Sequence, residues 1–198
     1  MAVVENDTLL AEYTVNYKKT HSQTLLPMLD EISNMTELDL STIDAIAVAG
    51  GPGSFTGLRI GSATAKGLGL ALEKPLISIP TTAAIAYNIW DTDKFVCPIM
   101  DARRNQVYTG VYCYTDHRLD TVWEQDTMSI EALAEGLNCL DHEVIFLGDG
   151  VAVYREKLEA LLTIPFSFAP AHVNRQRAAA VGALAEVYYK EGKIQTAE

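Results

Sequence analysis

Positive charge is scarce in this sequence: 15 lysines and arginines stand against 26 aspartates and glutamates, a formal net charge of −11 over 198 residues. Broad capture of nucleic acid needs clustered Lys and Arg to displace counterions, so the chain alone is not expected to bind it strongly. Cysteine is equally sparse. Cys97, Cys113 and Cys139 are odd in number and far apart, with no Cys-x-x-Cys, which speaks against a disulfide framework or a zinc ribbon and makes reduced core residues of them. The four histidines show no metal spacing, and His21, at a helix entrance, has no second ligand one helical turn away. Apolar runs are too short to span a bilayer, and the N-terminus lacks a basic segment followed by an apolar run and a cleavage site, so a cytoplasmic protein is expected. No Gly-Lys-Ser/Thr occurs, which removes the Walker loop, and Gly51-x-Gly53 is followed by Thr56 where a dinucleotide fingerprint needs its third glycine.

What is present is organised around one stretch. Ile43 to Ala49 is short and almost wholly apolar, as a strand covered on both faces should be. Gly50, Gly51, Pro52 and Gly53 end it, and Ser54 or Thr56 can cap the helix that follows. Free N–H groups converging at a helix N-terminus form an anion site in principle; a tight turn that binds nothing is the plainer reading. Along that helix Gly57, Gly61, Ala65 and Gly69 recur every four residues, a ridge with almost no side chain against which something packs closely. Either the chain's own sheet or a partner helix can be that something.

Composition, with 48% apolar residues, supports one large or two small globular domains. Apolar patterning predicts strands over Met1–Glu5 and Leu9–Tyr17 and a helix from His21 to Ile32, entered at Thr24, with Leu25, Met28, Leu29 and Ile32 on one face. After the central strand and its helix come a strand over Pro75–Ile79 and a helix over Thr81–Trp90. The second half predicts strands over Phe95–Met100, Gln106–Tyr114 and Leu119–Glu124, then a helix capped by Ser129. A strand over Glu143–Leu147, the turn Gly148-Asp149-Gly150, a helix over Val151–Leu162 and a last helix from Asn174 to Lys190 complete it. The element order repeats, which divides the chain into an N-terminal lobe, 1–92, and a C-terminal lobe, 93–198, of an α/β protein whose ligands would bind in a cleft between them. The turn Asp101-Ala102-Arg103-Arg104 is either an exposed polar hairpin or a loop lining that cleft.

The run from Gly50 to Gly61, with His21-Ser22 and Leu26-Pro27 upstream and Asp101-Ala102-Arg103-Arg104-x-x-Val107-Tyr108 downstream, resembles the TsaB (YeaZ) family of bacterial tRNA threonylcarbamoyladenosine synthesis over nearly the whole chain. The resemblance implies an actin/sugar-kinase/Hsp70-like fold of two duplicated βββαβα lobes, with the family's first strand and its Asp-Thr-Ser-type turn missing here. It implies a non-catalytic scaffold acting in the cytoplasm with TsaD, the catalytic paralogue, and TsaE, an ATPase, and pairing with itself when TsaD is absent. tRNA would be met only through the complex. The interface would comprise Leu25, Leu29, Ile32, Gly57, Gly61, Ala65 and Gly69. No catalytic, cofactor or metal residue is implied; Gly51, Gly53, Asp101, Gly148 and Gly150 are the weak candidates for a phosphate site. Where TsaD carries a His-x-x-x-His metal pair, this chain has Ile79-Pro80-Thr81-Thr82-Ala83-Ala84-Ile85-Ala86. A phosphotransferase of the same fold, using Asp101 and both glycine turns, and a metallopeptidase are the alternatives.

Overall fold

A computed structural model describes residues 1–15 and 24–197. His21-Ser22 and Tyr17, at the ends of a predicted helix and strand, lie outside the described residues. By contact the chain forms two compact units, Met1–Pro80 with Arg177–Glu198, and Thr81–Gln176. This partition differs from a cut between 92 and 93: the helix that begins at Thr81 packs in the second unit, and the last helix returns to the first.

In the first unit, β1 (Ala2–Glu5) and β2 (Thr8–Glu12) form an antiparallel hairpin, and β3 (Ile46–Gly51) and β4 (Leu76–Pro80) form a separate parallel pair. Among the described residues β1 and β3 each hydrogen-bond on one side only. The helices are α1 (Leu25–Thr36), α2 (Phe55–Leu72) and α6 (Ala178–Lys190). Helix α1 runs four residues past the predicted end, to a left-handed Glu37 that closes it by donating its N–H to the Ser33 carbonyl. Ser54 caps α2 by accepting from the Gly57 N–H at 3.4 Å. Helix α6 packs on β1, β3 and β4. It begins at Ala178, not after Asn174 as predicted, because the residue that starts it is bound elsewhere: Glu12 of β2 accepts from the Ala179 N–H at 3.0 Å and pairs with the Arg177 guanidinium.

That lock is pH-sensitive. Burial opposes the charge on Glu12, but the bonds from Arg177 and Ala179 outweigh it and hold the carboxyl below the usual carboxylate range. A folded-state pKa below the unfolded value contributes stability above the ordinary carboxylate range, and that contribution disappears as pH falls through the folded pKa. The Glu12→Gln variant should therefore melt below wild type at neutral pH, and the gap should close in melts run at progressively lower pH. A gap independent of pH would mean that the ion pair contributes nothing.

The second unit is a five-stranded sheet in the order β7-β6-β5-β8-β9, built from β5 (Phe95–Arg103), β6 (Gln106–Thr115), β7 (Arg118–Ser129), β8 (Val144–Leu147) and β9 (Phe166–Phe168). β6 pairs antiparallel with both β7 and β5, and β8 lies parallel to both β5 and β9. Helix α4 (Ile130–Leu140), capped by Ser129, buries Ile130, Leu133, Ala134 and Leu137, an i, i+3, i+4, i+7 stripe. With α5 (Val151–Leu161) it closes a core holding Val107, Val111, Val144 and Phe146. The short α3 (Thr81–Ala86) is wholly buried and meets the strand face carrying Tyr112: Thr82 Oγ1 lies 2.8 Å from the Tyr112 hydroxyl and 2.9 Å from Gln125 Oε1. It stops well short of Trp90, and the Asn88 side chain, freed from the helix, donates to the Arg175 carbonyl at 2.8 Å.

The cysteines divide. Cys97 is buried, its thiol pushed up to about 12 by desolvation, Cys113 is half-buried, and Cys139 is exposed, which corrects its assignment to the core.

Candidate interaction surface

Three features singled out in the sequence can be placed. The first glycine turn is tucked against its own helix: Gly51 is buried, and a side chain at Gly51 or Gly53 would point at Leu58, 3.4 and 3.8 Å away. The second is filled by backbone. Gly148 (φ +102) and Gly150 straddle the Ile99 carbonyl, which accepts the Gly150 N–H at 3.0 Å, while the Gly148 N–H is spent on Asn174 O at 2.9 Å. The donors that a phosphate would need there are already satisfied internally. Asp101 is engaged too. Its carboxylate accepts from the Arg103 N–H at 2.9 Å and from the Tyr154 hydroxyl at 3.1 Å, and its N–H donates to Asp149 at 3.3 Å. Burial, and then Asp101, raise the pKa of that phenol.

The glycine ridge turns inward. Ala65 and Gly69 are buried, Ala65 in a cluster with Leu76 and Ala197, and a Cβ on Gly69 would lie 2.9 Å from Ala197 and 3.0 Å from Leu76. A Cβ on Gly61 would come within 3.7 Å of Val48 on β3. On α1, Ile32 is 4% exposed and Leu25 and Leu29 are half-buried. Buried residues cannot meet a partner without unfolding, so Ile32, Ala65 and Gly69 are corrected to core positions. A ridge of small residues lets α2 sit tightly on its own two-stranded sheet.

The opposite side of α2 is open. Phe55 (69% exposed), Arg59, Ala63, Lys66, Gly67 and Leu70 (58% exposed) share it, with the Arg59 guanidinium 3.9 Å from the Phe55 ring centroid. A side chain at Gly67 would meet nothing within 4 Å. Two large apolar side chains, with the small Ala63 and Gly67 and the charged Arg59 and Lys66 between them, form a surface that a second helix can fill. The sequence held this signal, but the buried ridge masked it because both faces of α2 carry small residues.

A mixed sheet whose three antiparallel strands adjoin two parallel ones, with helices on both faces, places the chain in the actin/sugar-kinase/Hsp70-like class of α/β proteins. The profile of the family described as TsaD, tRNA N6-adenosine threonylcarbamoyltransferase, matches residues 8–198. Among curated proteins, the tRNA threonylcarbamoyladenosine biosynthesis protein TsaB of Bacillus subtilis is 35% identical over 162 residues, 82% of this chain and 71% of that protein. The TsaB of Escherichia coli is 33% identical over 138 residues, 67% of this chain and 58% of that protein. Among solved structures, YeaZ from Pseudomonas aeruginosa superposes with a TM-score of 0.82 at 26% identity, covering 99% of this chain and 89% of its own. The chain belongs to the TsaB (YeaZ) family.

Proposed function

We propose that this chain is a non-catalytic subunit in tRNA threonylcarbamoyladenosine synthesis that holds TsaD, with TsaE, through α1 and the outward face of α2. The observation that carries the reading is the exposed pair Phe55 and Leu70 on either side of Gly67, on a chain whose relatives are TsaB proteins. Leu25, Leu29, Gly57 and Gly61, half-buried, form the margin of the contact. In the absence of TsaD the same face pairs with a second copy of the chain. The self-satisfied turn at Gly148 to Gly150, and α3 where TsaD carries a metal pair, support a role without chemistry of its own. No described helix is long and apolar enough to cross a membrane. The test is reconstitution: the purified chain alone should neither hydrolyse ATP nor modify tRNA, and modification should appear on adding TsaD and TsaE. Sustained turnover by the chain alone would overturn the reading.

A further inference from the structure

Among the described residues three two-residue hairpins have positive φ at both central positions: Asn6-Asp7 (47° and 62°), Arg104-Asn105 (52° and 62°) and Asp116-His117 (49° and 62°). Asn, Asp and His are the side chains that tolerate this left-handed region, and two of the hairpins use only these. The β5–β6 hairpin does not. Arg104 takes its first central position, and Arg103 before it is also left-handed, at φ 66°. Arginine gains nothing locally from such a conformation, and strained backbone persists where surrounding structure fixes it.

Here the fixing is visible. The Asp101 carboxylate accepts the Arg103 N–H, and Tyr154 ties Asp101 and the Gln106 carbonyl to α5 at 3.1 and 3.4 Å. Asn105 donates to Glu131 at 2.7 Å, and Lys157 binds both Asn105 and Glu131. Asp101, Asn105, Glu131 and Lys157 about the tip are thereby paired, and the two arginines are not. Arg103 and Arg104 are exposed, and neither guanidinium has an ion-pair, hydrogen-bond or ring partner among the described residues. What sets these two guanidiniums apart from the other cations of the chain is that they are adjacent and held on a braced turn.

We propose that Arg103 and Arg104 form a preorganised contact for two RNA phosphodiesters, positioning tRNA on the assembly without reading its sequence. The fork of a guanidinium matches phosphate oxygens, and a turn held rigid in advance loses little freedom when it binds. Lys157 balances Glu131, and the two arginines balance Asp101 and Asp149, so the contact acts by direct guanidinium–phosphate pairing and not by a long-range field, and does not make the chain a strong RNA binder by itself. The inference rests on the function proposed above, and its test is therefore made in the reconstituted assembly of this chain with TsaD and TsaE.

tRNA affinity is measured by filter binding as a function of salt for wild type and for Arg103→Gln/Arg104→Gln, with assembly checked by size exclusion and folding by a thermal melt. The expected result is about tenfold weaker binding at low salt and a log–log salt slope shallower by about 1.4 to 1.8, since each of the two phosphate contacts contributes roughly 0.7 to 0.9. Arg103→Lys/Arg104→Lys should keep the slope, and Arg155→Gln, away from the hairpin, should leave binding unchanged. Each single Gln variant should lose about half the slope change, which keeps the test decisive if the double variant is unstable. An unchanged slope overturns the proposal. So does loss of assembly, which would make the contact a protein carboxylate, or a change confined to ATP binding, which would make it a nucleotide phosphate. If the wild-type assembly does not modify tRNA, the functional reading has failed; if it modifies tRNA normally with the Gln variants, only this contact has.

Discussion

Gly148→Ala is expected to unfold the second unit, or to leave so little margin that the protein is recovered mostly insoluble. Two costs coincide at this residue. Its φ of +102° lies where side chains are strained, about 1–3 kcal/mol. A methyl group there would overlap the Ile99 carbonyl oxygen and stand 3.0 Å from its carbon, and backbone at the centre of the sheet cannot move aside. Overpacking of that kind adds about 1–3 kcal/mol. Together they come to about 2–6 kcal/mol, enough at the upper end to consume the stability of a domain at the lower end of the ordinary range of about 5–15 kcal/mol. Gly192 supplies the control. It also has positive φ, +73°, but a side chain there meets nothing within 4 Å, so Gly192→Ala should cost only the conformational part. Melts of the two variants separate the terms. Equal small losses would show that the Gly148-Asp149-Gly150 turn has room to spare, and would reopen it as a phosphate loop.

That contrast shows what was legible in the residues and what was not. The buried strands β5, β6 and β8 and the caps Ser54 and Ser129 follow from local chemistry, and they were readable; β3, expected to be covered on both faces, is half-buried in a two-stranded pair. The stripe Ile130, Leu133, Ala134 and Leu137 announces α4 for the same reason. Strand β9 was not readable: Phe166-Ser167-Phe168 is too short for alternation to show, and it exists because β8 offers it a parallel edge and Phe146 packs on both of its rings. Strand β7 runs to Ser129 through Glu124, Gln125, Asp126 and Thr127, which carry no apolar signal; pairing with β6 extends it. The end of α6 was predicted correctly and its beginning was not, because the start depends on Glu12, some 165 residues away. Family resemblance named the fold and the relatives, yet it could not say which face of α2 looks outward. Nor did it indicate that the Arg103-Arg104 turn is left-handed and braced.

Two arginine substitutions two residues apart on α2 should give opposite results. In Gly69→Arg the new side chain must enter the space held by Ala197, Leu76 and the Lys74 carbonyl, all within 3.1 Å of where its Cβ begins. A guanidinium forced into that contact is a buried charge without a partner, at about 3–5 kcal/mol, and the first unit should unfold. In Gly67→Arg nothing lies within 4 Å and the side chain reaches solvent. Arginine is the better helix former by about 0.8–1 kcal/mol, so the melting temperature should hold or rise slightly. If α2 binds its partner by the outward face, Gly67→Arg should nevertheless abolish association, both of the chain with itself and with TsaD, because a long side chain fills the open space above Gly67 beside Leu70. Size-exclusion mobility and a thermal melt on one sample read both properties. A folded Gly67→Arg protein that still associates removes the outward face from consideration. A Gly69→Arg protein that folds normally but loses its partner would return the interface to the Gly57, Gly61, Ala65 and Gly69 ridge.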